Sequence, residues 1–525
     1  MKIFSRSLIA SILLLPTWAS AATNLADIAP ARGFKIIGAA SGDGLGGGLA
    51  EIGDLNGDGR SDVAIGAPGA DRIGAADVGA VYVIFGKPNP AHPFDLGTLD
   101  GSNGFKLIDT TAAASSFAGA VVGPAGDVNN DSRADFWIAN GTFLSAAPAY
   151  VVFGRASWPP LLDLSTLNGS NGFKIVPSAG LATSGLGNAI AGGSDLNGDG
   201  IDDLVFGAPN ANTTTGQTLG GRAYVVLGRT APVMPPGPTF PASFSPDTLG
   251  SGTILFEGLA SDFLGFSVDM GADFNSDGHR DLMVSAIGSP ENGKAYIVYG
   301  RTIGNPFNPV NSMPSTANFA VFGSVSGNGD GFGTPAKFLP DINGDGIADL
   351  GVAAPDHTFA GGPTSVGTLY VIYGATSPPA SLNVGAMTLS QGFHLDGTAT
   401  QDDAAEIFSG PGDITGDGIG DLLVGVAKSE VGLTLNAGKL YVVNGVSGTR
   451  PLTVPLADID SGALAGEVFQ SNTANAQFGL SGAAGLFDGD ARRDFMVASP
   501  TEGAFGEVFL IHKITAEFAN GFEDP

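Results

Sequence analysis

The sequence contains no cysteine in 525 residues, so the chain has neither disulfide bonds nor thiol ligands. Basic residues are also scarce, because 23 Lys and Arg stand against 51 Asp and Glu, which gives a net charge of −28. Surfaces that bind nucleic acid need clustered Lys and Arg, so we predict no nucleic-acid partner. We expect bound metal ions to supply the stabilisation that disulfides give to many exported proteins.

Long apolar runs are missing except at the N-terminus. Lys2 and Arg6 precede a mostly apolar stretch at residues 8–15, and Ala-Ser-Ala at residues 19–21 offers a cleavage site. These features are typical of a secretory signal peptide, which we assign to residues 1–21. No later stretch is long and apolar enough to span a bilayer. We therefore expect an exported protein, secreted or associated with the cell surface, without a transmembrane segment.

Glycine is abundant, and a loop rich in Asp, Asn and Gly recurs along the chain. The chain has 82 Gly and 33 Pro, yet 43% of its residues are hydrophobic, which favours short strands and tight turns over disorder. The loop has the form DxNxDGxxD and begins at Asp54, Asp127, Asp195, Asp273, Asp341 and Asp413. A seventh, degenerate copy starts at Leu486, and successive copies lie 68 to 78 residues apart.

The segments around each loop repeat as well. Each loop is followed by an apolar run and then by a strand-like segment ending at glycine, such as AVYVIFG at residues 80–86. About four short strands fit into one unit, and seven such units cannot bury their faces unless they stack around an axis. The fold class is therefore predicted as all-β, a seven-bladed β-propeller of four-stranded blades with calcium-binding loops.

The propeller is expected to occupy residues 22–515, followed by a C-terminal tail at residues 516–525. Residues 33–38 (GFKIIG) match the connectors at residues 104–109 and 172–177, so we expect this segment to form the outer strand of the last blade and close the ring. The Pro-rich stretch at residues 231–250 is predicted to be an exposed loop.

The loops carry the oxygen ligands that calcium prefers, at alternate positions of a tight turn. We expect side chains from positions 1, 3, 5 and 9 and the main-chain carbonyl of position 7 to bind one ion per loop. Position 12 is apolar in every loop, for example Ile65, whereas a helical calcium hand needs Glu there, so the loop connects strands. The predicted ligands are Asp54, Asn56, Asp58, Arg60, Asp62, Asp127, Asn129, Asp131, Arg133, Asp135, Asp195, Asn197, Asp199, Ile201, Asp203, Asp273, Asn275, Asp277, His279, Asp281, Asp341, Asn343, Asp345, Ile347, Asp349, Asp413, Thr415, Asp417, Ile419 and Asp421.

The seven loops are not equivalent. Ser132 replaces the turn glycine in the second loop, which adds strain, and Thr415 is a poorer ligand than Asn in the sixth. The seventh loop keeps Asp488, Asp490 and Asp494 but lacks the first carboxylate, and it carries Arg492 and Arg493. Positive charge disfavours a bound cation, so we expect about six calcium sites and leave the seventh open.

These repeats resemble the FG-GAP repeats of the integrin α-subunit propeller. The Gly-Ala-Pro turn stands at residues 66–68 and 207–209, and the Phe-Gly pair at residues 332–333 and 478–479. The resemblance implies a seven-bladed propeller with calcium loops at its lower rim and a ligand face formed by other loops. We expect neither the inserted adhesion domain nor the leg domains of integrins in this chain.

The residues favour a binding module over an enzyme. The five His residues show no zinc-ligand spacing, and neither a GxSxG elbow nor an HExxH motif occurs. We therefore expect a non-enzymatic adhesion or ligand-binding module whose partner is an extracellular protein or a carbohydrate. A lectin-like propeller is the close alternative, and a propeller hydrolase the distant one. The ligand and the oligomeric state stay open.

Overall fold

The computed structural model describes residues 23–24, 33–72, 74–87, 94–141, 147–230, 240–248, 250–288, 293–302, 306–323, 330–358, 364–399, 402–487, 493–501 and 506–511. These residues form seven sheets, one for each predicted unit, and the innermost strands of neighbouring sheets contact each other around a complete ring. The all-β, seven-bladed propeller is thus confirmed. The assigned signal peptide and the C-terminal tail lie outside the described residues.

Each blade has four antiparallel strands, numbered from the axis outward. The first strands of blades 1 to 7 are Leu49–Glu51, Val121–Gly126, Ile190–Ser194, Leu264–Met270, Ala336–Leu339, Ile407–Gly412 and Ser481–Gly485. The second strands are Val63–Ala67, Asp135–Ala139, Asp203–Ala208, Leu282–Ala286, Asp349–Ala354, Asp421–Val426 and Asp494–Ser499. The third strands are Ala80–Ile84, Ala149–Val152, Arg222–Val226, Lys294–Val298, Thr368–Ile372, Lys439–Val443 and Glu507–Ile511. The fourth strands are Gly104–Ile108, Gly172–Ile175, Thr253–Glu257, Phe319–Phe322, Gly392–Asp396, Gly466–Gln470 and Gly33–Ile37.

A fifth, short strand lies parallel to each fourth strand, which the prediction of four-stranded blades did not include. In order from blade 1 to blade 7, the fifth strands are Leu161–Asp163, Ser243–Phe244, Val310–Ser312, Ser381–Asn383, Thr453–Pro455, Thr23–Asn24 and Phe94–Asp95. The connector that leads to the fourth strand of one blade supplies the fifth strand of the preceding blade. Consecutive blades are therefore joined by main-chain hydrogen bonds as well as by packing.

A short helical turn follows most of the fifth strands. These turns are Leu96–Thr98, Leu164–Thr166, Pro246–Thr248, Gly250–Gly252, Val384–Ala386, Met313–Thr316 and Ala457–Asp460. In three of them the side chain of Asp95, Asp163 or Asn383 accepts a hydrogen bond from the amide two residues later and so caps the turn.

The prediction of an exposed loop at residues 231–250 is wrong for its last part. Phe240 is only 1% exposed, and Phe244 belongs to a fifth strand.

The hydrophobic core is divided into seven clusters, and each cluster lies between two adjacent blades. The second strands are buried along both faces because each central strand is covered by a blade on either side, which explains their continuous apolar sequence. At this interface the glycine that begins a Gly-Ala-Pro turn meets a glycine of the next blade. A Cβ atom on Gly66 would lie 1.7 Å from the carbonyl oxygen of Gly119, and one on Gly207 would lie 1.9 Å from that of Gly265. Only glycine permits this backbone approach.

An axial channel of about 550 Å³ runs between the first strands. Glycine and alanine line much of its wall, together with three charged residues, Glu51, Asp269 and Lys337. Asp269 accepts hydrogen bonds from the amides of Met270 and Phe338, the second of which belongs to the next blade. Burial raises the pKa of the Asp269 carboxyl to about 6, while the charge of Lys337 acts in the opposite direction.

The ring closes through the N-terminal segment, as predicted. Gly33–Ile37 pairs antiparallel with Glu507–Ile511, so residues from both ends of the described chain form blade 7. Thr23–Asn24 extends blade 6 in the same way, pairing with Phe469 and Gln470. The closure therefore uses two strands, one more than the sequence predicted.

The N-terminal strand offers a matched pair of substitutions. Ile36 is 1% exposed in the cluster between blades 7 and 1, whereas the adjacent Ile37 is 38% exposed. We expect Ile36→Ala to lower the free energy of unfolding by about 2–5 kcal/mol, because it leaves a cavity in the closing blade. Ile37→Ala should change it by less than about 1 kcal/mol. Urea unfolding of both variants tests this, and equal losses would contradict the packing of this strand in the closing blade.

Candidate metal-binding loops

The DxNxDGxxD loops connect the first strand to the second strand of each blade, so they lie together at one end of the propeller, here called the lower face. The apolar residue at position 12 lies within the second strand in each case, as Ile65 does, which confirms that the loop joins strands. Six loops are fully described. In the seventh, Asp488, Asp490 and Arg492 lie outside the described residues, and Asp494 begins the second strand.

The first carboxylate folds the loop around itself. In the first loop Asp54 Oδ1 accepts hydrogen bonds from the amides of Gly57 and Asp58, at 2.7 and 2.9 Å, and its Oδ2 accepts one from Gly59 at 2.7 Å. The same three bonds recur in loops three, five and six. In loop two Ser132 takes the left-handed conformation that glycine has elsewhere, with φ of 69°, which confirms the strain predicted there.

Positions 3 and 5 face each other across the loop. Asn56 Oδ1 accepts a hydrogen bond from the amide of Asp58, and Asp58 Oδ1 accepts one from the amide of Arg60, at position 7. Loop two differs because Asn129 Oδ1 is buried and has no hydrogen-bond partner. An acceptor in that state costs free energy unless a donor or a cation reaches it. In loop six the hydroxyl of Thr415 lies 3.5 Å from Asp413 Oδ1, and its amide donates to Asp421 Oδ2.

The aspartate at position 9 is buried and accepts two main-chain hydrogen bonds. Asp349 Oδ2 accepts from the amide of Ile342, at position 2 of its own loop, and Oδ1 accepts from the amide of Gly374, just after the third strand. All six complete loops have this pair of bonds. The aspartates are Asp62, Asp135, Asp203, Asp281, Asp349 and Asp421.

Burial raises the pKa of these position-9 carboxyls, and the nearby carboxylates of positions 1 and 5 raise it further. The pKa of Asp62 and of Asp281 is raised to about 7, and that of Asp203 and of Asp349 to about 8. The main-chain hydrogen bonds act in the opposite direction but do not compensate. The three carboxylates of one loop thus repel each other, and a bound cation would relieve this repulsion.

Within the described part of the chain, no three His, Asp or Glu side chains converge closely enough to form a metal-binding group. In the loops, main-chain amides donate hydrogen bonds to the carboxylate oxygens of positions 1 and 9. The donor set nevertheless fits a hard cation, because it consists of carboxylate and amide oxygens with one buried acceptor, Asn129 Oδ1, lacking a partner. Loop two also receives a further carboxylate, since Asp202 from the next blade accepts a bond from the amide of Asp127.

The loops connect neighbouring blades through position 2, which the sequence analysis did not single out. This residue is apolar and buried in every loop: Leu55, Val128, Leu196, Phe274, Ile342, Ile414 and Phe487. Among the described residues, six of these seven carbonyls accept a hydrogen bond from the next blade, as Leu55 does from the amide of Arg155 and Phe487 from that of Lys87. The signal was present in the sequence, because position 2 is always apolar and a glycine follows most of the third strands. The position-7 residues such as Arg60 contribute their amides to the turn.

The opposite end, here called the upper face, is formed by the loops between second and third strands and by the connections between blades. Four non-glycine residues, Phe117, Phe263, Asp403 and Gln477, take left-handed conformations at equivalent places, with φ between 48° and 52°. The amide of each donates a hydrogen bond to a loop of the preceding blade. Such strain persists only where the surrounding structure holds it in place, which makes the upper face a well-defined surface.

One hairpin projects from the upper face of blade 6. Val431 and Thr434 pair across a two-residue turn, which leaves Leu433 completely exposed and Leu435 58% exposed. No helix in the described residues is both long and apolar enough to cross a membrane.

Comparison with known proteins agrees with the repeat structure. A family model described as FG-GAP repeat matches residues 50–84 and 186–226. Integrin alpha-7 of Rattus norvegicus is 28% identical over 293 residues, which cover 51% of this chain and 22% of the relative. Phosphatidylinositol-glycan-specific phospholipase D of Dictyostelium discoideum is 29% identical over 199 residues, 36% of this chain and 20% of the relative. Integrin alpha-IIb of Homo sapiens is 31% identical over 164 residues, 30% of this chain and 14% of the relative.

The fold and the matched motifs define a β-propeller that contains FG-GAP repeats. More particularly, the chain is a seven-bladed propeller like the N-terminal domain of integrin α subunits, to which its sequence is related. It spans about one fifth, or less, of the length of these three relatives.

The glycine after the third strand gives a test of the loop anchor. A Cβ atom on Gly374 would lie 2.1 Å from the carbonyl oxygen of Ala348, so Gly374→Ala must displace the loop end that Asp349 holds. We expect a loss of more than about 2 kcal/mol of unfolding free energy, measured by urea unfolding in EDTA. Gly180→Ala is the matched control, because its Cβ would meet only Ser178 Oγ at 3.9 Å. A similar small effect for both would contradict the anchor.

Proposed function

We propose that this protein is an exported, calcium-binding β-propeller that acts as an adhesion or ligand-binding module, in which calcium stabilises the blades. The observation that carries the proposal is the loop repeated in six blades, which has carboxylates at positions 1, 5 and 9 and a side-chain oxygen at position 3. In four of these loops the charges of positions 1 and 5 add to burial in raising the pKa of the position-9 carboxyl. Asp, Asn and main-chain oxygens are the ligands that calcium takes in proteins.

Calcium would act on stability rather than on chemistry. In each loop positions 1, 3, 5 and 9 would hold the ion, with the carbonyl of position 7, and position 9 would transmit its effect to the third strand through the glycine amide. For extracellular sites with Kd near 1 mM, a tenfold excess of calcium stabilises each site by about 1.4 kcal/mol, and six sites by about 8 kcal/mol. This sum is comparable with the whole unfolding free energy of a typical domain, about 5–15 kcal/mol.

Chelation tests the calcium proposal directly. We expect EDTA to lower the Tm by several degrees and 10 mM calcium to restore it. Asp345→Asn should reduce the calcium-dependent part of the Tm shift, because it removes one carboxylate from loop five. Glu430→Gln, an exposed acidic residue on the upper face, should leave that part unchanged. A melting curve identical in EDTA and in calcium would remove calcium from the proposal.

The ligand is proposed to bind at the upper face. This face carries the exposed Leu433 and Leu435 and the conformationally strained connections, whereas the lower face is occupied by the loops. Relatives named integrin are extracellular or cell-surface proteins, which supports export of this chain as well. The partner class is an extracellular protein, or in the lectin-like alternative a carbohydrate.

A binding screen tests this function. The intact protein should bind at least one member of a panel of matrix proteins and glycans in calcium, and lose affinity in EDTA. The double variant Leu433→Ser, Leu435→Ser should weaken binding about tenfold or more if the hairpin contributes to the contact. Leu161→Ser, which changes a 50% exposed leucine on the outer edge of blade 1, is the matched control. Turnover of a polysaccharide in a parallel panel, without binding to the others, would overturn the non-enzymatic proposal.

A hydrolase is the second candidate, favoured by the phospholipase D relatives and by one cluster in blade 5. His394 Nδ1 lies 2.8 Å from Asp396 Oδ1, and its Nε2 lies 3.1 Å from Thr453 Oγ1, an order that resembles a catalytic triad. Lys174 and Lys35 occupy the equivalent place in other blades and pair with acidic residues, at 3.4 Å from Asp109 in the case of Lys174. This equivalence favours a structural role for His394, so binding is the preferred function.

A further inference from the structure

The seven first strands each present one residue at the same level of the axial channel. Each of these residues pairs with the residue two places after the position-9 aspartate of its own loop, so the seven positions are equivalent. We call this ring of residues the lumen layer. Its members, from blade 1 to blade 7, are Ala50, Gly123, Ala191, Asp269, Lys337, Ser409 and Ala483.

The lumen layer is polar on one side and apolar on the other. Blades 4, 5 and 6 are consecutive, and they contribute Asp269, Lys337 and Ser409, whereas the other four blades contribute only alanine or glycine. All members except Ser409 line the channel of about 550 Å³, and every residue that lines it lies within the described part of the chain. This volume is in the range of small-molecule sites, about 300–1,000 Å³.

The apolar side gains an aromatic ring from the second strand of blade 2. Gly123 pairs with Trp137, and a Cβ atom on Gly123 would lie 2.2 Å from Cζ2 of the indole. Glycine at this place therefore lets the ring extend across the first strand to the channel wall. Trp137 Nε1 is buried and has no hydrogen-bond partner among the described residues. The side of the channel opposite blade 5 thus offers an aromatic edge beside small side chains.

The polar side has a pair of charges that a hydroxyl group can bridge. Lys337 is exposed in the channel, and its charge acts on the neighbouring Asp269. Within the described residues, however, the ammonium of Lys337 forms neither an ion pair nor a hydrogen bond with this carboxylate or with another side chain. A group placed between the two must accept a hydrogen bond from the ammonium and donate one to the carboxylate. A hydroxyl does both.

The charges that line the channel disfavour a simple ion. Glu51 lies on the wall as well, so the described lining residues supply two carboxylates and one ammonium. An anion would be attracted by Lys337 but repelled by Asp269 and Glu51. A metal ion would be repelled by Lys337, and both oxygens of Asp269 already accept main-chain hydrogen bonds. A neutral ligand rich in hydroxyl groups avoids both conflicts.

We propose that the axial channel is a binding site for a small neutral carbohydrate, a mono- or disaccharide. A sugar ring carries hydroxyl groups along its edge and C–H groups on its faces, which matches a lumen layer that is charged on one side and apolar on the other. Its hydroxyl groups would lie between Lys337 and Asp269, and a C–H face would lie toward Trp137. This site does not depend on the upper-face contact proposed above.

Isothermal titration of the full-length protein tests the proposal. The probes are methyl β-glucoside, methyl β-galactoside, N-acetylglucosamine and maltose, and we expect saturable binding of at least one of them at a single site. Lys337→Met should weaken that binding about tenfold or more, because it removes a charged hydrogen-bond donor from the channel. Lys87→Met, which changes an exposed lysine outside the channel, is the matched control and should leave the affinity unchanged.

A second variant blocks the channel without removing a charge. Gly482 lines the channel in blade 7, and a Cβ atom there would contact only the carbonyl oxygen of Met496, at 3.3 Å. Gly482→Leu should therefore extend a side chain into the lumen and abolish sugar binding, while the Tm changes by only a few degrees. The double variant Leu433→Ser, Leu435→Ser should leave sugar binding unchanged, which separates this site from the upper face.

Three results would overturn the proposal. The first is the absence of saturable binding for every sugar in the panel. The second is a sugar affinity that stays the same in Lys337→Met and in Gly482→Leu, which would place the sugar outside the channel. The third is binding of sodium acetate that depends on Lys337 while no neutral sugar binds, which would make the channel an anion site.

Discussion

The buried aspartate at position 9 of each loop is the interaction on which the rest of the propeller depends. One carboxylate holds the start of its loop to the end of the third strand of the same blade, as Asp349 does through Ile342 and Gly374. The adjacent carbonyl at position 2 accepts an amide of the next blade, so a single turn fixes strand order within a blade and contact between blades. Under the proposed calcium binding, a cation would compensate the negative charge of the loop that holds these contacts and would so link binding to the fold.

The fold was predictable because the repeat carries the information several times. Alternating loop and strand patterns gave the number of blades, and the likeness of Gly33–Ile37 to later connectors gave the closure. The fifth strands were not predicted, because two or three residues such as Phe94–Asp95 have no periodicity to detect. The buried Phe240 was assigned to an exposed loop for a related reason. Its Pro-rich surroundings are typical of exposed loops, and the ring on which it stacks, that of Phe173, is far away in the sequence.

The positions of the loops were predictable, but the different structural roles of the residues within each loop were not. Sequence spacing treats positions 1, 5 and 9 alike as carboxylate ligands. In the structure, Asp54 accepts the main-chain hydrogen bonds that form the turn, whereas Asp62 is buried. Burial depends on the third strand and on the next blade, which the nine residues of the loop do not encode. The same limit applies to Leu55, whose apolar side chain reads as the edge of a strand until the neighbouring blade is in place.

The offset of the fifth strands determines the order in which this chain can fold. No sequence repeat forms a whole blade by itself, because each one supplies the fifth strand of the preceding blade and receives its own fifth strand from the next repeat. The two N-terminal strands have partners at residues 466–511. Gly33–Ile37 also pairs with the nearby Phe94–Asp95, but blades 6 and 7 stay incomplete until almost the whole chain has been made. Pairs so distant in sequence are slow to form, and an exported chain that threads through a membrane from its N-terminus would complete its ring only on the far side. Transport and folding would then be separated in time by the topology itself.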